Sequence, residues 1–386
     1  MLAQNIEHRS RVLAEYGASS KEIEELLLYN QNIFDLSALP QNQTFPLESE
    51  PYITAWQRDY SQSQELGVFT ALKSSLVQLQ FPIQAGISER DNYRAATRKG
   101  SPTHNMVEAT GLELQQPDAL QLVIHPTLAG EIPVIIAGCR ADFVTLIQAL
   151  TKRNEPEIIP DSMGATIVGG FNNWARVRHY REEWEAQQTK PVTEADWQAE
   201  FKQLIPQKHL YQDRFIILSQ GYYSGISAED IGLDEAEWSR LSVIIRLEHE
   251  CCHYFTKRVF GSMRNNMLDE LIADYQGIVA ANNGRYRADW FLRFVGLEGF
   301  PEYREGGRLQ NYRGEPRLSD GAFKILQILV KDAAENLESF NTEHQIELSA
   351  PENQGKMLNI LTSRTLEELA AQKGSLLSEI WGSRTE

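Results

Sequence analysis

An α+β architecture is what this sequence predicts, with a helix-rich region toward the C-terminus and a small sheet in the N-terminal region. Three observations carry that expectation. Apolar runs of strand length are few: LQLVIH and IPVIIAG between Leu120 and Gly138, and RFIILSQG between Arg214 and Gly221. Strands and helices do not alternate as in a doubly wound fold, and its glycine fingerprint is missing. The densest chemistry, from Arg246 to Ile278, lies in helix-like sequence.

Taken in order, residues 2–17 and 20–30 read as short amphipathic helices, the second opened by a capping box of Ser19 and Glu22. Pro40, Pro46 and Pro51 punctuate a loop, and helical periodicity returns at 62–77 and 90–98. The runs at 120–125 and 132–138 are two strands with a tight connection, followed by a helix at 142–151. Gly169 and Gly170 lack the spacing of a phosphate-binding loop and are read as a turn, and His179 is read as a surface or core residue rather than a catalytic one. The polar stretch around 190–208, with Pro191 and Pro206, is the expected boundary. It divides the chain into an N-terminal α+β region (1–205), a catalytic region (206–340) and a C-terminal helical segment (341–386). Further helices are expected at 234–261, 267–283, 286–297 and 320–340, the last capped by Asp320. The pairs Ser349/Glu352 and Thr365/Glu368 are capping boxes for the closing helices.

The 386 residues have room for two or three domains, and 42% hydrophobic content can build a substantial core. A net charge of −16 argues against nucleic acid or an anionic membrane as partner. There is no run of eighteen apolar residues, and the N-terminus carries charges where a signal peptide needs its apolar stretch, so a soluble, cytoplasmic protein is expected. Three cysteines fit a reducing compartment. Cys251 and Cys252 are read as small packing residues; the other reading is that a thiolate competes for a metal.

The central stretch contains His249-Glu250-Cys251-Cys252-His253, an H-E-x-x-H pattern. Residues four apart share a helix face, so both imidazoles can reach one zinc ion, and Glu250 beside them is placed to take a proton from a zinc-bound water. Glu270 follows His253 by seventeen residues, in a second helix that begins behind Asn266 and stops at Gly284, placing Glu270 and Asp274 one turn apart on one face. Glu270 is the candidate third ligand. Asp274 can accept the other ring N–H of a ligating histidine, which fixes its tautomer. In the opposite assignment Asp274 ligates and Glu270 stands behind it. The cluster also reads, without any metal, as an ordinary polar contact between two helices.

H-E-x-x-H followed by Glu270-Leu-Ile-Ala-Asp274 resembles the gluzincin zinc metallopeptidases over about thirty residues. The resemblance implies a zincin-like catalytic region, Zn2+ as cofactor, and His249, His253 and Glu270 as ligands. It also implies Glu250 as general base, Asp274 in the outer layer, and hydrolysis of a peptide or protein substrate by a Glu-activated zinc-bound water. In gluzincins an edge strand ahead of the motif helix pairs with substrate. RFIILSQG is similar in position, and is read either as that edge or as a fully buried strand. For the oxyanion, Tyr223 and Arg308 are the candidates. Arg308 belongs to a loop containing Tyr303, Arg304, Tyr312 and Arg313, which either folds back over the metal or is a solvated basic loop. The competing function classes are a zincin-like protein that keeps a metal without catalysis and a metal-free interaction module. Oligomeric state is left open.

Overall fold

The computed structural model of the chain describes residues 2–35, 44–263, 266–348, 350–371 and 375–383. The fold is α+β: many helices and one four-stranded mixed sheet. Pro40, in the expected N-terminal loop, and the cap residue Ser349 lie outside the described residues. The chain divides into two compact units, one of residues Met1–Phe45 with Tyr222–Glu386 and the other Pro46–Gly221. The division thus falls at 221/222 instead of within 190–208, where a helix, Glu194–Leu204, stands between elements of the second unit.

The sheet belongs entirely to Pro46–Gly221. Its strands are β1 (Gln121–His125), β2 (Ile132–Ile136), β3 (Ala165–Asn172) and β4 (Gln212–Leu218), in the order β1-β2-β4-β3. The β1–β2 and β3–β4 pairs are antiparallel, while β2 and β4 run parallel. β4, from the RFIILSQG run, therefore has hydrogen-bonded neighbours on both sides and is not an edge. Its main chain therefore has no row of groups left to offer a peptide, and its side chains from Phe215 to Leu218 are all buried. Gly169 and Gly170 also depart from expectation: they lie inside β3, where the register slips between Gly169 and Phe171 and Gly170 takes φ +69°. This is a β-bulge, for which the missing side chain at a left-handed position is the requirement.

The core of this unit packs Trp56, Phe143, Leu146 and Ile147 against Leu122, Ile135, Phe215 and Ile217 of the sheet. Asp213 of β4 is buried and bound to three donors, Trp56 Nε1 at 2.9 Å, Asn173 Nδ2 at 2.7 Å and Arg176 Nη1 at 2.7 Å. Close by, buried Asp59 accepts from Ser75 Oγ at 2.6 Å. Burial raises the Asp59 pKa from an ordinary 3.8 to about 6, with Asp213 adding to the rise and the Ser75 bond opposing it. A carboxyl whose folded pKa is raised favours folding below the unfolded pKa, and that contribution is lost as pH rises through the folded one. Asp59→Asn is thus expected to gain stability relative to the parent between pH 4 and 7, by up to roughly 3 kcal/mol. Denaturant melts at both pH values check this; a difference that does not grow with pH refutes it.

In the other unit the N-terminal helices Leu2–Glu15 and Ser20–Tyr29 are integral parts, with the second opened by the Ser19/Glu22 capping box. Arg9 donates to buried Glu367 at 3.1 Å, Tyr16 to Asp332 at 2.7 Å, and Glu25 accepts from the backbone N–H of Ser319 at 2.9 Å. The motif helix is Glu235–Phe260, capped by Asp234 and ended by Gly261 in the left-handed region. Behind it come Met267–Ala281, capped by Asn266, then Ala288–Val295 and Asp320–Glu343. Ser319, not Asp320, caps the last of these through the N–H of Ala322, leaving Asp320 in the first turn, where its charge suits the dipole. The closing helices are Pro351–Thr362, Leu366–Ala370 with its Thr365/Glu368 box, and Ser375–Ser383. No helix among the described residues is long and apolar enough to cross a membrane.

Candidate metal centre

The site forms where the motif helix meets Met267–Ala281. Gly277, two turns after Glu270, sits so close to the motif helix that a Cβ there would stand 2.6 Å from the carbonyl oxygen of Ile245. Ile245 is one turn before His249 on the same face, so this backbone-to-backbone approach sets how closely the histidines and Glu270 can converge. Gly277→Ala must push the helices apart. It is expected to cost about 1–3 kcal/mol of stability, as overpacking does, and to weaken metal uptake with it. Parallel melts and metal titration test the pairing, and tight metal binding in a destabilised variant would break it.

His249, His253 and Glu270 are all buried, and they bring their ligand atoms within 4.8 Å of one another. The two Nε2 atoms are 3.1 Å apart, and each lies 3.6 Å from one carboxylate oxygen of Glu270, His249 from Oε2 and His253 from Oε1. Behind the rings stand two more carboxylates. Asp274 Oδ1 lies 2.7 Å from His249 Nδ1, and Asp269 Oδ1 lies 3.4 Å from His253 Nδ1. Asp274 at 2.7 Å places the His249 ring proton on Nδ1, and with the same tautomer at His253, whose Nδ1 is 3.4 Å from Asp269, two Nε2 lone pairs and the Glu270 carboxylate face a common point. Three such acceptors cannot remain buried against each other unless a cation lies among them. One imidazole can supply it: burial alone lowers the His253 pKa, but Asp269, Glu270 and Glu250 together lift it to about 9. A metal ion is the other cation the group can hold.

Asp274 is fully committed away from that point. Its Oδ1 also accepts from Tyr223 Oη at 2.5 Å and its Oδ2 from Arg308 Nη2. Burial opposes ionisation of Asp274, yet Arg308 and His249 outweigh it and hold its pKa below the ordinary range. Asp274 thus faces Tyr223, Arg308 and the Nδ1 atom of His249. Tyr223 and Arg308 also take a different place from the one expected. Tyr223 Oη is 3.0 Å from His249 Nδ1, and Arg308 Nη1 donates to Tyr223 at 2.9 Å and to Ser224 Oγ at 3.2 Å. Both thus work on the Nδ1 side of His249, holding Asp274 and the ring, and neither is turned to the Nε2 side where an oxyanion would form. Tyr223 is fixed further by its backbone N–H on Ser242 Oγ at 3.0 Å and by the Phe294 ring at 4.9 Å.

The loop that carries Arg308 does fold back on the site, as the short helix Arg308–Tyr312. Tyr312 Oη donates to Glu270 Oε2 at 2.8 Å, and its carbonyl accepts from Tyr29 Oη at 2.6 Å. Tyr29 Oη also accepts from the N–H of Met267 at 3.1 Å, tying the N-terminal helices to the start of the helix that presents Glu270. Glu250 keeps partial exposure and makes no hydrogen bond or ion pair among the described residues. Burial raises its pKa, against the pull of His249 and His253. Cys251 and Cys252 are free, buried thiols, and their burial pushes both pKa values up.

Sequence reasoning missed Asp269, Gly277 and the role of Tyr29. Asp269 adjoins the candidate ligand Glu270, and a glycine inside a helical run is a packing signal, so two of the three left a trace. No curated protein and no solved structure matches the chain. Residues 11–373 match DUF7005, a family of unknown function, and the chain belongs to that family.

Proposed function

We propose that this protein is a zinc-dependent hydrolase of gluzincin type that cleaves peptide bonds in a peptide or protein substrate. The observation that carries the reading is the convergence of the donor atoms, with the two Nε2 atoms 3.1 Å apart and each 3.6 Å from one of the two carboxylate oxygens of Glu270. Ligands about 2.1 Å from one tetrahedral ion stand roughly 3.4 Å apart, so the donors are spaced as zinc requires. Two neutral imidazoles and one carboxylate are also the set found where a zinc site keeps a position open for chemistry. Zinc, when bound, polarises a substrate carbonyl and makes water easier to deprotonate.

The chain's own groups account for the rest. Glu250 follows the first ligand, is not used as a ligand and has no competing hydrogen bond, so its carboxylate is available to take a proton from water and hand it to the leaving amine. Burial raises its pKa, which makes it the better base. Asp274 holds the His249 imidazole in the tautomer that presents Nε2, and Asp269 Oδ1 stands 3.4 Å from Nδ1 of His253. Tyr312, bonded to Glu270 and partly exposed, is the phenol nearest the ligand carboxylate.

The test is metal analysis of untagged protein followed by cleavage assays on a mixed peptide library. About one zinc per chain is expected, with cleavage abolished by chelation and restored by zinc. Protein that neither contains zinc nor takes it up would remove the basis of the proposal.

A further inference from the structure

The unit Pro46–Gly221 contains a cleft of about 390 Å³ that the metal chemistry does not use. Thr70 and Lys73 line it from the helix Val68–Ser75, and Gln80, Thr103, His104 and Gly111 are among the residues opposite. Gln80 holds these segments together. Its Nε2 donates to the carbonyl of Lys73 at 2.8 Å, its Oε1 accepts from Thr103 Oγ1, and its carbonyl accepts from the N–H of Gly111 at 2.9 Å. At Gly111, φ is +94°, and a Cβ would lie 2.6 Å from Lys73 Nζ, so the glycine leaves the ammonium its place.

The charge pattern of this cleft is unlike that of the chain. In a protein of net charge −16, no carboxylate among the described residues lines it. The carboxylate closest in sequence to its lining, Glu108, is turned to Asn92 Nδ2 at 2.7 Å. Among the described residues the Lys73 ammonium makes no hydrogen bond or ion pair; it stands 5.5 Å from the Phe69 ring centroid. Hydroxyls, an imidazole and a lysine without a counter-charge, held in a pocket of metabolite size, are the donors that an oxyanion takes.

We propose that this cleft binds a small anionic metabolite through a phosphate or carboxylate group placed against Lys73. The test uses the full-length chain passed over a chelating resin, so that no metal can hold the anion elsewhere. Calorimetric titrations with inorganic phosphate and, separately, acetate are run at constant ionic strength in chloride. Saturable binding of at least one of them is expected, weakened at least about tenfold by Lys73→Met, the scale of one lost charge-assisted hydrogen bond. Phosphate binding more tightly points to a phosphorylated ligand, and acetate more tightly to a carboxylated one. Circular dichroism confirms that the variant is folded, and if it is not, Lys73→Gln is used under the same criteria. No saturable binding of either anion, or a smaller loss in the folded variant, overturns the proposal.

Discussion

Glu250→Gln is expected to retain the zinc of the parent while peptide hydrolysis falls by about 10²- to 10⁴-fold, the usual contribution of a general base. The substitution keeps the shape of the side chain and removes only its ability to take a proton. Because Glu250 is outside the group formed by His249, His253 and Glu270, metal content should not change. Zinc measured by mass spectrometry and initial rates on a cleaved library peptide separate the outcomes. Full activity in the variant would favour a metal site kept without catalysis, for which Glu250 has no task. Loss of zinc together with activity would mean that Glu250 belongs to the metal environment itself.

Much of this centre was legible because its signals are local. The period of a helix places His249 and His253 on one face, Asp234 and Gly261 bound that helix as N-cap and left-handed C-cap, and Asn266 opens the next. Other features depend on what the chain meets in space. β4 reads equally well as a buried or an edge strand, since an apolar run does not state how many neighbours it has; β2 and β3 decided it. Asp320 and Ser319 are both good caps, and the side chain that reaches the Ala322 N–H determines which one serves. The N-terminal helices could not be assigned to the metal-bearing unit from sequence, because the Arg9–Glu367 and Tyr29–Tyr312 contacts join residues some three hundred positions apart. Tyr223 and Arg308 stand at Asp274 and the Nδ1 side of His249, a placement that their residue types do not announce. Composition identifies donors, whereas only the position of Asp274 reveals that they serve the back of His249.

The three carboxylates around the histidines give the most demanding comparison. Glu270→Gln replaces a ligand and is expected to remove tight zinc binding. Asp274→Asn leaves His249, His253 and Glu270 in place and should weaken zinc by about 10- to 100-fold, the usual cost of losing a partner behind a ligand. Asp274 ought to stand at the upper end of that range. The substitution removes the negative charge opposite half-buried Arg308 and leaves one acceptor oxygen where two served Arg308, Tyr223 and His249. Asp269→Asn should fall lower, since the distance from Asp269 Oδ1 to His253 Nδ1 is 3.4 Å against 2.7 Å for the Asp274 pair. The predicted order of zinc affinity is therefore parent, Asp269→Asn, Asp274→Asn and then Glu270→Gln, measured by competition with a chromogenic chelator at one pH. Tight binding by Glu270→Gln with none by Asp274→Asn would reverse the ligand and its support. Equal affinities in all four proteins would mean that zinc binds elsewhere in the chain.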